Sequence, residues 1–134
     1  MRTKQHCKQG ALVASTAFPR TRRAVGPARD WVRVWCLEVG VTEDRAETSA
    51  LLLSELATNA VEYAEGDRFE VTLWSAPLSV EVRDGSPKKP ERREPSDDED
   101  EHGRGLVLVY ALSSHFEVNE TDDGKSCRFW LGEA

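Results

Sequence analysis

Apolar residues recur every three to four positions in two long stretches of the chain, which predicts two amphipathic helices. The first helix covers residues 21–39 and is ended by Gly40. A Gly-Pro pair near its beginning either weakens the first turn or marks the true start of the helix. The second helix covers residues 42–64, where Thr42 can cap it and two acidic residues follow at the positive end of the helix dipole.

Alternation of apolar and polar residues predicts five strands. The segment Ala76-Pro77 joins the second and third strands as a hairpin, and Asp122-Asp123-Gly124 joins the fourth and fifth. On the fourth strand, Phe116 and Val118 are predicted to face the core. The five strands cover residues 11–18, 68–74, 78–83, 115–119 and 126–131.

An apolar octet at residues 106–113 is compatible with a buried strand or a buried helix. The spacing of Leu106, Val109 and Tyr110 and the glycines that precede them favour a helix. The element order is then β, α, α, β, β, α, β, β. Strands grouped in one mostly antiparallel sheet with helices on one face predict an α+β fold, a two-layer α/β sandwich.

A charged segment at residues 85–102 interrupts this pattern. It contains three prolines and eleven charged residues, and it has no large apolar residue that could pack in a core. We expect a mobile loop, which is either a lid over a ligand or an inert insertion. Residues 1–10 are expected to form a disordered basic tail, so residues 11–134 make a single domain.

The charge is distributed unevenly along the chain. Residues 1–33 carry eight Lys or Arg and one Asp, for a charge of +7, whereas residues 34–134 carry ten Lys or Arg and 23 acids, for −13. The acidic bulk argues against nucleic acid as the main ligand. The basic region is either a docking face for an acidic protein surface or a solvated helix face. Its candidate docking residues are Arg20, Arg22, Arg23 and Arg29.

The cysteines and the hydropathy indicate the compartment. The three cysteines are far apart, and no CxxC or Cys/His cluster with metal spacing occurs, so reduced thiols are the simplest account. No apolar run is long enough to span a bilayer. We therefore expect a cytoplasmic protein that has no membrane partner.

Three short motifs carry candidate chemistry. Glu55 and Asn59 lie four residues apart in the second helix and form one polar stripe with Glu62, unless they are merely solvated surface. Asp84 ends a strand and is followed by Gly85. Gly103-Arg104-Gly105 opens the third helix, where backbone N–H groups can cradle a phosphate. Each motif is weak evidence alone, but their order and spacing together are much more specific.

The three motifs have the sequences ELATNA, VRDGSP and GRGL, and they resemble those of the GHKL ATPase superfamily. The superfamily includes the ATP domains of histidine kinases and type II topoisomerases. Within it the chain looks like the small stand-alone bacterial anti-sigma factors that are also serine protein kinases. The resemblance covers residues 11–131, and it implies the Bergerat ATP-binding fold with ATP and Mg²⁺ as cofactors.

The resemblance also implies roles for individual residues. Asn59 would supply an oxygen to Mg²⁺, a cation that prefers hard oxygen ligands. Glu55 would orient or deprotonate the attacking hydroxyl as the catalytic residue. Asp84 would accept a hydrogen bond from the adenine amino group. The other nucleotide contacts implied are Gly85, Gly103, Arg104, Gly105, Leu106 and Ser126, although Arg104 could equally point to solvent.

One departure from the family pattern concerns the segment after Asp84. The usual DxGxG is here Asp84-Gly85-Ser86-Pro87, so that the second glycine has become a proline or is missing, and the proline stiffens the start of the lid. The resemblance implies an anti-anti-sigma-type protein as phosphate acceptor, a sigma factor as a further partner, and a homodimer. The alternative is a nucleotide-gated binding module without transferase activity.

Overall fold

The computed structural model describes residues 10–64, 66–84, 106–121 and 124–132. Over these residues the element order is the one that the sequence predicts. A 3-10 turn at Arg22–Ala24 precedes the first helix. The elements are β1 (Ala11–Pro19), α1 (Val25–Glu38), α2 (Glu43–Tyr63), β2 (Arg68–Ser75), β3 (Leu78–Asp84), α3 (residues 106–112), β4 (His115–Thr121) and β5 (Gly124–Leu131).

The strands form one five-stranded sheet in the order β1-β2-β3-β5-β4, and all neighbouring strands are antiparallel. One face of the sheet packs against the helices, and we call it the helix face. The opposite face is called the open face. The core lies between the sheet and the helices and includes Val32, Leu53, Phe69, Val80 and Phe129. This confirms the two-layer α+β sandwich.

The two long helices follow their predicted boundaries closely. The Gly-Pro pair lies in the first turn of α1, because a 3-10 turn occupies the residues that the periodicity assigned to the start of the helix. Gly40 has φ +87°, a left-handed conformation that suits glycine after a helix. The Thr42 side chain accepts a hydrogen bond from the Arg45 backbone N–H, as expected of an N-cap.

The octet after the charged segment is a helix over residues 106–112. Val109 is fully buried, and Leu106 and Leu108 pack against the core. Tyr110 lies on the outer side, and its ring contacts Phe116 edge-on. The predicted helix is therefore confirmed over the part of the chain that the structure describes. None of the described helices is long and apolar enough to cross a membrane.

The beginning of α2 is tied to the end of β5. The Arg45 guanidinium donates hydrogen bonds to the carbonyl oxygens of Leu131 and Gly132. Leu131 pairs with Leu78, the first residue of β3. The helix therefore starts above the end of the sheet where β3 begins.

The end of α2 is tied to the opposite end of the sheet. The Arg20 guanidinium donates to the carbonyls of Val61 and Gly66, just ahead of β2. The second residue of β2, Phe69, pairs with Asp84, the last residue of β3. Since α2 packs mainly across β3, the helix runs along that strand and finishes near Asp84.

Two predicted segments lie outside the described residues. These are the charged segment at residues 85–102, together with the glycines that follow it, and residues 1–9 of the predicted tail. The turn residues Asp122 and Asp123 also lie outside them. The strands on either side of this turn pair antiparallel, with Thr121 opposite Gly124.

Candidate functional site

The polar stripe of α2 separates from the buried side of the helix as predicted. Glu55 and Asn59 are half-buried, and they lie about 6 Å apart along the helix axis at 1.5 Å per residue. The third member, Glu62, accepts a hydrogen bond from Arg22 at 2.9 Å and forms an ion pair with it. Helical spacing places seven small or apolar residues on another side of the helix. Ala64 is half-buried, and the other six are buried: Ala46, Ser49, Leu53, Leu56, Ala57 and Ala60.

Asp84 is a buried carboxylate at the end of β3. Its residue is only 5% exposed. Successive side chains of a strand alternate between faces, so Asp84 lies on the same face as Val82, which belongs to the core. The Oδ1 atom of Asp84 accepts a hydrogen bond from the Lys125 backbone N–H at 3.2 Å. The carboxylate is therefore fixed on the helix face, at the point where β3 ends beside β5.

Asn59 and Asp84 come to the same end of the sandwich from opposite layers. Asn59 lies in the last turns of α2, two residues before Val61, whose carbonyl is held by Arg20 at this end of the sheet. Glu55 lies one turn further back, towards the middle of the sheet. The fold thus places at one end of the sandwich a carboxamide and a carboxylate that are 25 residues apart in the chain.

Part of the helix face beside Asp84 is not covered by any described helix. Cys127 of β5 pairs with Val82 of β3 on one side and with Val118 of β4 on the other, so that the three residues form one row on this face. Cys127 is half-buried and Val118 is 46% exposed, although both lie on the helix face. Val118 therefore lies on the predicted face of its strand without being buried, whereas Phe116 does pack against the core. A partly apolar surface next to a buried carboxylate suits a flat, mostly apolar ring that carries a hydrogen-bond donor.

The register contradicts the assignment of Ser126 to this surface. Ser126 pairs with Arg83 on one side and Asn119 on the other, and these positions belong to the open face. The next residue, Cys127, occupies the helix face instead. Alternation counted back from the buried Phe129 would have given this result, because a shift of one residue reverses the face of a strand residue.

The Cys127 thiol remains protonated at neutral pH. Burial raises its pKa to about 11; Asp84 and Glu81 reinforce this effect and Lys125 opposes it. A neutral thiol behaves as a small apolar group with a weak donor. Cys127 therefore adds to the apolar character of the surface beside Asp84.

The predicted phosphate cradle adjoins the first residue of α3 that the structure describes. Gly85, Gly103, Arg104 and Gly105 lie outside the described residues. Leu106, the first described residue of α3, is half-buried and packs against the core. The other end of this helix is fixed near Trp130, whose carbonyl accepts hydrogen bonds from the backbone N–H and the side chain of Ser114 at 2.8 and 3.0 Å.

The candidate basic docking face is smaller than the sequence suggests. Arg20 is engaged with the carbonyls at the end of α2, and Arg22 is engaged with Glu62. Arg23 and Arg29 are exposed on the 3-10 turn and on α1. Of the four predicted arginines, Arg20 is thus used within the protein and the exposed Arg22 is paired with Glu62, whereas Arg23 and Arg29 point outward.

The donor atoms at the site suit a magnesium ion that a nucleotide brings with it. No group of three or more His, Cys, Asp or Glu that could hold a metal occurs among the described residues. Asn59 offers one hard oxygen, and Glu55 offers further oxygens one turn away. Mg²⁺ bound mainly by phosphate and water needs few protein ligands, so these residues fit such an ion.

Comparison with known proteins identifies the family. The model of the histidine kinase-like ATPase domain matches residues 18–130. The chain belongs to the histidine kinase-like ATPase domain family. Membership of this family implies an ATP-binding domain, and the matched range includes Glu55, Asn59 and Asp84.

A solved structure from Mycobacterium tuberculosis has the same fold. It contains the RsbU and RsbW domains of Rv1364c, and it superposes on the histidine kinase-like ATPase domain described here with a TM-score of 0.63 at 18% sequence identity. The match covers 88% of this chain and 32% of that one, so the chain spans about a third of the length of that protein. No curated protein sequence matches the chain.

Proposed function

We propose that this protein is an ATP-binding anti-sigma regulatory factor with serine/threonine protein kinase activity. It would transfer the γ-phosphate of ATP to a hydroxyl of an anti-anti-sigma-type partner. The observation that carries this proposal is the arrangement of Asn59 and Asp84 at one end of the sandwich, beside a part of the helix face that the described helices leave uncovered. The RsbW domain named for the solved structure has the same fold, and the motif resemblance points to the same class.

Adenine recognition is assigned to Asp84 and its surroundings. The carboxylate accepts a hydrogen bond from the exocyclic amino group, and the Lys125 backbone N–H fixes its orientation. Val118 and Cys127 contact the face of the base. Guanine carries a carbonyl oxygen where adenine carries the amino group, so it would bring two acceptors together and is disfavoured.

Phosphoryl transfer is assigned to the polar stripe of α2. Asn59 supplies one oxygen to the Mg²⁺ that accompanies ATP, and this ion neutralises charge on the phosphates when bound. Glu55 orients the partner's hydroxyl and accepts its proton. Such a reaction depends mostly on positioning and electrostatics. A single carboxylate, one helical turn from the Mg²⁺-binding Asn59, is therefore sufficient as the proton acceptor. Gly85, Gly103, Arg104 and Gly105 remain predicted phosphate contacts.

The partners follow from the same resemblance. The anti-anti-sigma-type protein provides the phosphate acceptor, a sigma factor is the second target, and two copies of the chain associate. Arg23 and Arg29 are the residues of the basic face that point outward for docking. The cytoplasm, where sigma factors act, is the expected location.

The second candidate function is a nucleotide-gated binding module that has no transferase activity. The altered DxGxG segment favours it, because the proline at position 87 stiffens the start of the segment that would close over the phosphates. Both functions require ATP, and only the first requires Glu55.

Calorimetric titration with ATP, ADP and GTP, each with and without Mg²⁺, tests the feature common to both. We expect adenine nucleotides to bind, ATP to bind more tightly with Mg²⁺, and GTP to bind at least about ten-fold more weakly, as the loss of one charge-assisted hydrogen bond predicts. Equal affinity for GTP would contradict the role of Asp84. Incubation with labelled ATP and candidate acceptor proteins then separates the kinase from the binding module.

A further inference from the structure

Arg20 makes three hydrogen bonds at the end of α2, one to the helix itself and two to the segment that follows it. Its Nε donates to the Gly66 carbonyl and its Nη1 donates to the Val61 carbonyl, both at 2.6 Å. Its backbone N–H donates to the Asp67 carbonyl at 2.9 Å. One residue beside the end of β1 therefore joins β1, the last turn of α2 and the segment that leads into β2.

These contacts act where a helix is weakest. The last four carbonyls of a helix have no partner within it, and the ends of helices fray. Val61 is one of these four residues in α2, and it lies two positions after Asn59. A charged donor on the Val61 carbonyl stabilises the final turn.

Glu62, on the same helical turn as Val61, also interacts with a residue close to Arg20 in the chain. It pairs with Arg22 at 2.9 Å. Arg22 is strongly exposed, so that this pair adds little stability. The hydrogen bond from Arg20 to the Val61 carbonyl is partly buried and is the stronger connection to the last turn of α2.

We infer that Arg20 is the positioning residue for Asn59. The inference rests on the proposed function, since Asn59 needs a fixed position only if its oxygen meets the Mg²⁺ of bound ATP. A ligand oxygen has to be held within about 0.5 Å of its productive position by the groups around it. The guanidinium of Arg20 meets this need because its fork of donors bridges two carbonyls at once, which the single ammonium of lysine does not do equally well.

The chain contains a matched control for this inference. Arg45 lies near the beginning of the same helix, and its guanidinium donates to two carbonyls at the end of β5, those of Leu131 and Gly132. It lies 14 residues before Asn59, which is about 21 Å along the helix axis. Arg20→Lys and Arg45→Lys therefore remove the same kind of contact from the same helix, one near Asn59 and one far from it.

The first readout is the ratio of the ATP affinities with and without Mg²⁺, measured by calorimetry. We expect Arg20→Lys to reduce this ratio about ten-fold, the usual scale when the support of a metal ligand is lost. Arg45→Lys should change the ratio less than two-fold, although both variants lower the thermal midpoint. A merely structural role for Arg20 would weaken binding with and without Mg²⁺ equally and leave the ratio unchanged.

The second readout needs no nucleotide. Amide hydrogen exchange should be faster in Arg20→Lys over residues 60–63 of α2, and it should remain at the wild-type rate there in Arg45→Lys. If Arg20→Lys fails to fold, Arg20→Gln, which keeps a shorter donor for one carbonyl, takes its place with the same two readouts.

The outcomes are distinguishable. Wild-type protein that binds no ATP would overturn the proposed function and this inference with it. The inference alone would be overturned by a different result. In that case the wild type binds ATP more tightly with Mg²⁺, and Arg20→Lys has the same ratio of ATP affinities with and without Mg²⁺ and the same exchange rates as the wild type.

Discussion

The two faces of the sheet each hold a buried polar group, but they satisfy it in different ways. On the open face, Ser79 is fully buried and its hydroxyl accepts two hydrogen bonds from Arg128, at 3.1 and 2.9 Å. The Arg128 guanidinium lies 3.7 Å from the centre of the Trp74 ring and 4.5 Å from that of Trp130. Hydrogen bonding, stacking and burial thus occur within one cluster of the protein's own side chains.

The helix face near Asp84 has the opposite character. The carboxylate accepts a backbone hydrogen bond from Lys125, but the surface beside it, at Val118, is left uncovered by the described helices. A buried acid next to an accessible apolar surface is suited to a ligand, whereas a buried hydroxyl under an arginine and two tryptophans is suited to holding strands together. The comparison predicts that changes on the helix face alter function and that changes on the open face alter stability.

The largest expected effect comes from the stripe of α2 above the helix face. Glu55→Gln removes the proton acceptor, so we expect phosphate transfer to fall about 10²- to 10⁴-fold while ATP binding changes less than about two-fold. Glu70→Gln, which makes the same chemical change on the open face, should leave both unchanged. Transfer rates with labelled ATP and calorimetric affinities measure this, and a Glu55→Gln variant of normal rate would favour the binding module.

The next largest effect is expected at Asp84. Asp84→Asn replaces a charged acceptor by a neutral amide, and ATP affinity should fall about 10- to 100-fold, as the loss of a hydrogen bond to a charged group predicts. Affinity for GTP should not fall in parallel, because guanine has no donor at the same position. An equal loss for both nucleotides would mean that Asp84 maintains the fold and does not select the base.

The local patterns of the sequence were sufficient for most of the fold. Periodicity and caps depend on neighbours in the chain, so the helix that starts after Thr42 and the strands that flank Ala76-Pro77 were predicted to within a few residues. Helical spacing singled out Asn59 and a strand end singled out Asp84, but only the resemblance to a family indicated that the two belong to one site, since no local pattern shows that they meet.

The errors arose where the outcome depends on distant segments. Ser126 was assigned from a motif match alone, and a motif match does not fix which face of a strand a residue occupies. The exposure of Val118 depends on which strands the helices cover. The contact of Arg20 with Val61 joins residues 41 positions apart, and a basic run in a sequence looks the same whether its arginines face a partner or the protein's own helix.

The open face provides a third test of the comparison. Arg128→Met keeps an unbranched chain between Trp74 and Trp130 but leaves the buried Ser79 hydroxyl without its donor. The free energy of unfolding should fall by about 1–3 kcal/mol, the usual penalty for such a group. ATP affinity should change less than about two-fold, since ligand binding is assigned to the other face. Urea unfolding and calorimetry check the two parts, and a large loss of ATP affinity without loss of stability would reverse the roles of the two faces.

The smallest expected effect uses the two cysteines that the structure describes, both of which lie on the helix side of the sheet. Burial raises the pKa of Cys36 and of Cys127 from 9.0 to about 11. Each thiol therefore ionises in the unfolded chain before it does so in the folded protein. Its contribution to stability is fully present below pH 9 and is lost as the pH rises towards 11.

The pH dependence of one thiol can be isolated with Cys127→Ala. The loss at pH 10 amounts to about 1 kcal/mol for each thiol. The difference in unfolding free energy between the wild type and Cys127→Ala should therefore shrink by about 1 kcal/mol between roughly pH 8 and 10, because other titrating groups cancel in the difference. Urea unfolding of both proteins across this range makes the measurement. A difference that stays constant would mean that Cys127 is hydrated in the folded protein, and the surface beside Asp84 would then be more open to water than its burial indicates.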